Sequence, residues 1–136
     1  MSNETALLPA ATVTILALLM YLYAGLNVSA MRDRYGIAPP AITGAAEFER
    51  AFRVHQNTLE AMPLFLAPLW IASVYFAPWQ WLPAVIGLVW IAGRFLYMRG
   101  YLAAAERRAV GLRFQGAAMA VNLVLAVAGI VIAKTS

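Results

Sequence analysis

Read along a helix at 100° per residue, Arg53, Asn57 and Glu60 fall on one stripe. Arg94, Tyr97, Tyr101 and Arg108 are spaced 3, 4 and 7 residues apart, which keeps them on one side of a second helix. Arginine binds carboxylates through paired hydrogen bonds, glutamate accepts from an ammonium, and asparagine and tyrosine hydrogen-bond amides. Two such stripes at the same depth fit a zwitterionic peptide of net negative charge. A lipid phosphate would satisfy the arginines and leave Glu60 without a role. Blander readings stand beside this one. Arg50, Arg99 and Arg107 can snorkel to headgroups, Tyr97 and Tyr101 can be interfacial packing, and Arg53 with Glu60 can be an ion pair that locks two helices. Against these, an arginine or acid near the middle of a membrane span costs roughly 2.5–3.5 kcal/mol. Several aligned on one face therefore point to a functional cavity.

The elements that carry these stripes are apolar. Of 136 residues, 63% are hydrophobic and 12% charged, and the mean hydropathy is +0.74. This composition excludes a disordered tail, a nucleic-acid arm and an ordinary water-soluble enzyme. Four spans of about 20–25 residues match it, so the expected fold is an all-α, four-transmembrane-helix bundle in a single domain. The first segment covers about 6–31. It is preceded by Glu4 and no basic residue, so it reads as a retained helix and not a signal peptide. The second, about 47–76, is polar on one side in its first half and contains Pro63 and Pro68. The third runs from about 82 to 107. Gly111 reads as an interruption before the fourth, about 114–133.

Charge placement gives an orientation. Arg32, Arg34, Arg50 and Arg53 lie around the first loop, and Arg99, Arg107, Arg108 and Arg113 around the last, while the turn between segments two and three has none. By the positive-inside rule both arginine-rich loops face the cytoplasm and both termini the opposite side. The basic residues form no solvated stripe, so the net charge of +4 does not indicate nucleic acid. There is no cysteine and one histidine, His55, so no metal site is expected and any thiol chemistry uses a thiol brought by a substrate.

The residues Phe48-Glu49-Arg50, then Arg53, Asn57 and Glu60 followed by Pro63-Leu64-Phe65-Leu66, and later Arg94, Tyr97, Gly100-Tyr101 and Arg108 resemble the MAPEG group. These are the membrane-associated proteins of eicosanoid and glutathione metabolism, and the likeness is to the leukotriene C synthase and microsomal glutathione transferase branch. The resemblance spans nearly the whole chain. It implies a homotrimer with glutathione as co-substrate, bound between neighbouring subunits near the cytoplasmic interface. By position, Arg32, Arg53, Asn57, Glu60, Tyr97 and Tyr101 correspond to glutathione-binding residues, and Arg108 to the thiol-activating arginine. His55 stands where that branch has a glutamine, as a hydrogen-bonder at the site rim. Two positions depart from the family pattern: Ala61 replaces an aromatic after the glutamate, and Asp33 replaces the second of two arginines.

The implied mechanism has a physical basis of its own. A cysteine thiol has a pKa of about 8.5 and is mostly protonated at neutral pH. Lowering it by two units takes ~2.7 kcal/mol of preferential thiolate stabilisation. A guanidinium in a partly desolvated cavity can supply this, and it stays charged while doing so. The thiolate would then attack a lipophilic electrophile, or reduce a lipid hydroperoxide, delivered by the surrounding membrane lipids. The alternatives are a non-catalytic lipid-binding protein like the lipoxygenase-activating branch, and a transporter or structural bundle whose polar stripes only pack helices.

Overall fold

The structure, a computed structural model, describes residues 3–136. Met1 and Ser2, which begin the N-terminal stretch read above for a signal peptide, lie outside the described residues. After a short helical turn, Asn3–Ala6, the chain forms four long helices: α1 (Leu8–Tyr35), α2 (Ala46–Tyr75), α3 (Leu82–Ala103) and α4 (Ala109–Thr135). Each is long and apolar enough to cross a membrane, and no strand occurs among the described residues.

Local chemistry sets the helix ends. Pro9 sits in the first turn of α1, where its missing N–H costs nothing. Gly36 ends that helix at φ 63°, and the Ile37 N–H closes back on the Arg32 carbonyl at 3.0 Å. Glu47 and Glu49 occupy the first turn of α2, where negative charge suits the helix dipole. Glu49 also accepts from the Gly44 N–H at 3.0 Å, which tethers the loop to the helix start. At 30 residues α2 is about 45 Å long, against a hydrocarbon core of about 30 Å. Its polar beginning therefore extends to the membrane surface. The helix runs unbroken through Pro63 and Pro68.

Three boundaries differ from those expected. Helix α1 continues to Tyr35, past the expected end near residue 31 and through Arg32 and Arg34. Helix α3 stops at Ala103, because Ala104 is extended (φ −163°, ψ 138°) and Ala105–Arg108 form a 3₁₀ turn. Helix α4 starts at Ala109, so Gly111 is inside the helix and is no interruption. It is buried, and a Cβ there would lie 2.1 Å from the Tyr97 nitrogen. The bare glycine lets α4 rest directly on the α3 backbone, which fixes where Arg108 emerges.

The core lies between all four helices. Phe65 and Trp90 stack at 3.9 Å between ring centroids, surrounded by Val13, Ala17 and Leu69. Helix α4 packs chiefly on α3 and α2, and α1 on α2 and α3. Large apolar side chains such as Leu19, Leu26, Val124 and Val131 point outward. That is disallowed for most water-exposed bundles and natural where the solvent is lipid.

Candidate binding and catalytic site

At one end of the bundle the start of α2, the end of α3 and the turn before α4 meet. Asn57 donates its side-chain N–H to the Tyr97 hydroxyl at 2.8 Å, linking α2 to α3. One turn further on, the Tyr101 ring lies 5.7 Å from that of Tyr97. Arg108 comes next, its guanidinium 5.5 Å from the centre of the Tyr101 ring. Asn57 of the first stripe and Tyr97, Tyr101 and Arg108 of the second thus lie along one path, Asn57–Tyr97–Tyr101–Arg108.

The path crosses from α3 to the following turn in a way the spacing did not foresee. Arg108 is not on the third helix at all. It ends the 3₁₀ turn and stands at the N-cap of α4, held by a 3.5 Å hydrogen bond to the Ala105 carbonyl. A Cβ on Gly100 would lie 2.3 Å from the Arg107 carbonyl oxygen. The tight return of the chain over α3 therefore requires glycine there, and it brings Arg108 back beside Tyr101.

Arg53 is exposed and donates to the Gln56 side-chain oxygen at 3.4 Å, so it is not locked in an ion pair with Glu60. Arg53 and Tyr101 help line an open cleft of about 470 Å³, together with Glu49, Arg50 and Glu106. Arg50 is spent on the Leu102 carbonyl (3.1 Å), at the C-terminal end of α3 where a cation is favoured. Glu60 lies exposed one turn beyond Asn57. Guanidinium groups, carboxylates and neutral donors near one another can hold a peptide with both signs of charge.

Two predicted residues are elsewhere. His55 faces α1, its ring stacked on Tyr21 at 4.8 Å and 13°, against the bare backbone of Gly25. Arg32, near the end of α1, folds over the first loop. It donates to the Ala41 and Ile37 carbonyls at 2.8 and 3.4 Å, with its guanidinium 4.8 Å from the Phe48 ring centre. Within one chain, then, Asn57, Tyr97, Tyr101 and Arg108 are joined by contacts and Arg53 shares a cleft with Tyr101, while Glu60 stays exposed on α2, Arg32 lies on α1 and His55 faces it.

Sequence reasoning missed Thr58 and Gln115, both buried polar residues on apolar faces. They hold Arg94, which is 3% exposed and in the bundle and not in the cleft. Gln115 is spaced seven residues from Asn122, also buried, on α4. That repeat of amides on one face was the available signal. No cluster of three or more metal-ligating side chains occurs among the described residues.

A model of the MAPEG family matches residues 10–132. Microsomal glutathione S-transferase 2 of Homo sapiens is 42% identical over 120 residues, covering 88% of this chain and 80% of that protein. Leukotriene C4 synthase of Cavia porcellus is 41% identical over 130 residues, covering 96% and 84%. An uncharacterised Synechocystis protein is 46% identical over 109 residues, covering 80% and 78%.

Proposed function

This chain belongs to the MAPEG family, and from that premise we propose that it is a membrane-bound glutathione transferase for lipophilic electrophiles. The observation that carries the reading is the path Asn57–Tyr97–Tyr101–Arg108, which sets hydrogen-bonding groups and a cation side by side at one end of a membrane bundle. In this reading Arg53, Asn57, Glu60, Tyr97 and Tyr101 hold glutathione and Arg108 is catalytic. The guanidinium stabilises the sulfur as thiolate. With an aryl halide, the sulfur–carbon bond forms and the carbon–halogen bond breaks, releasing halide. Lipid hydroperoxides are a second electrophile class for the same thiolate.

The site is completed by another copy of the chain in a homotrimer. Glu60 is exposed further along the same membrane-spanning helix as Arg53, and an unshielded charge on a span is costly. Arg32 and His55, on the α1 flank, would come from the neighbouring subunit and close over the tripeptide. Both arginine-rich loops, and so the site, face the cytoplasm. The protein is multi-pass and integral to the membrane, which supports a bilayer-dissolved compound as the electrophile.

The test is an assay of purified protein in nanodiscs with glutathione and three electrophiles: an aryl halide, an epoxide and a lipid hydroperoxide. Glutathione-dependent turnover of at least one is expected, together with a particle mass of three chains. Saturable fatty-acid binding with no glutathione uptake would replace this reading with a non-catalytic lipid-binding one.

A further inference from the structure

Arg94 is buried at membrane depth with no acid bonded to it. Its Nε and Nη2 donate to the Thr58 hydroxyl at 3.2 and 2.9 Å, and its Nη1 to the Gln115 side-chain oxygen at 3.0 Å. The Thr58 hydroxyl gives its own hydrogen to the Val54 carbonyl at 2.7 Å, so both its lone pairs are free to accept. One side chain thereby ties α2, α3 and α4 together through neutral partners.

Holding three helices does not by itself require a cation. Well-packed apolar residues tie helices without the desolvation cost of a buried charge. The guanidinium has a second contact, however, 4.3 Å from the centre of the Tyr97 ring. Tyr97 is buried, and its hydroxyl accepts from Asn57. With that oxygen fixed by a donor, the hydroxyl hydrogen is left to donate to something else. Asn57 and Thr58 are consecutive, so Arg94 grips the same turn of α2 that Tyr97 grips through its hydroxyl.

We infer that Arg94 is a positioning residue for glutathione, acting through Tyr97: it clamps the phenol and the Asn57 turn so that the Tyr97 hydroxyl donates to an anionic group of the tripeptide. This rests on the function proposed above. Arg94 touches no substrate; it sets the placement of a residue that does. Lysine cannot replace it, because a point ammonium lacks the planar fork that reaches Thr58 and Gln115 at once.

The experiment is a double-mutant cycle on glutathione affinity, measured by calorimetry on purified protein in nanodiscs. Tyr97→Phe keeps the ring and removes the donor, so roughly tenfold weaker binding is expected. Arg94→Lys should weaken binding by roughly the same factor, and the double variant by no more than either alone. Should Arg94→Lys not assemble, Thr58→Val replaces it in the cycle. That substitution keeps the guanidinium and removes two of its bonds, and the same non-additivity is expected. Melting temperatures recorded alongside separate the roles, since loss of a helix tie lowers them equally with and without the Tyr97 hydroxyl. Additive losses, or unchanged affinity in the folded variants, would overturn the role of Arg94. No glutathione uptake by the unsubstituted protein would instead overturn the function itself.

Discussion

Replacing Arg108 by alanine tests the proposed chemistry at its centre. A thiol of pKa about 8.5 is about 3% ionised at pH 7, and one brought to about 6.5 is about three-quarters ionised. The difference is ~2.7 kcal/mol. In the single chain Arg108 is exposed, with one long hydrogen bond to Ala105 and a contact to the Tyr101 ring. A charge pair 4 Å apart is worth about 1 kcal/mol in bulk water and about 4 kcal/mol at an effective dielectric near 20. The required value falls between these limits, so Arg108 reaches it only when the site is partly shielded, as a neighbouring copy seated over it would do.

The expected result has two opposing parts. Without the guanidinium the bound thiol titrates about two units higher, and its thiolate fraction at pH 7 falls about 25-fold. The thiolate that remains is a better nucleophile. With the Brønsted slope of about 0.4–0.5 found for thiol exchange, two units return a factor of about six to ten. At saturating glutathione and pH 7 the ionisation effect alone therefore lowers turnover by only about 2.5- to fourfold, and any larger loss measures lost positioning. Near pH 9 and above, where both thiols are ionised, this effect reverses in favour of the variant. Ultraviolet titration of the bound thiolate, with the pH profile of aryl-halide conjugation, reads both parts. An unshifted titration in Arg108→Ala, or a rate ratio that does not change with pH, would refute the assignment.

Other outcomes follow from the geometry. Gly111→Ala puts a methyl group against the Tyr97 backbone, so α4 must lift from α3. We expect a loss of ~3 kcal/mol or failure to assemble, and in any folded fraction a fall in conjugation as Arg108 leaves Tyr101; melting curves and activity report it. The absence of native cysteines makes sidedness directly measurable. Ala38→Cys and Glu106→Cys, both exposed, should react with an impermeant thiol reagent only from the cytoplasmic side and Ala77→Cys only from the other. Labelling of all three from one side would contradict the orientation.

What was legible in the sequence, and what was not, divides along physical lines. The four spans could be read because they are long apolar runs, and composition alone demands them. The break between α3 and α4 could not, since residues 102–105 carry no glycine or proline and alanine favours helix. The turn is imposed from outside the segment, by the close approach of Gly100 to Arg107 and of Gly111 to Tyr97. Gly111 was misread for the same reason, as a helix breaker when it is a contact. The Arg94 anchor was hidden because its acceptors are neutral and lie on two other helices, whose register no local pattern states.

The separation of His55 from Arg53, by contrast, was available from arithmetic. Two residues apart on a helix is about 200°, which is the opposite face. The structure sets His55 against Tyr21 of α1, while Arg53 opens to the cleft beside Tyr101. In the proposed site, Arg32 and His55 on the α1 flank and the residues at α2–α4 would reach one ligand only from two different copies of the chain. Copies that meet flank to flank, each offering Arg32 and His55 to the next one's Arg108, make the same unlike contact at every junction, and such contacts close into a ring where the rotation between copies permits and run into an open filament where it does not. The proposed trimer is thus the arrangement in which the two sets of residues, apart in one chain, serve one tripeptide.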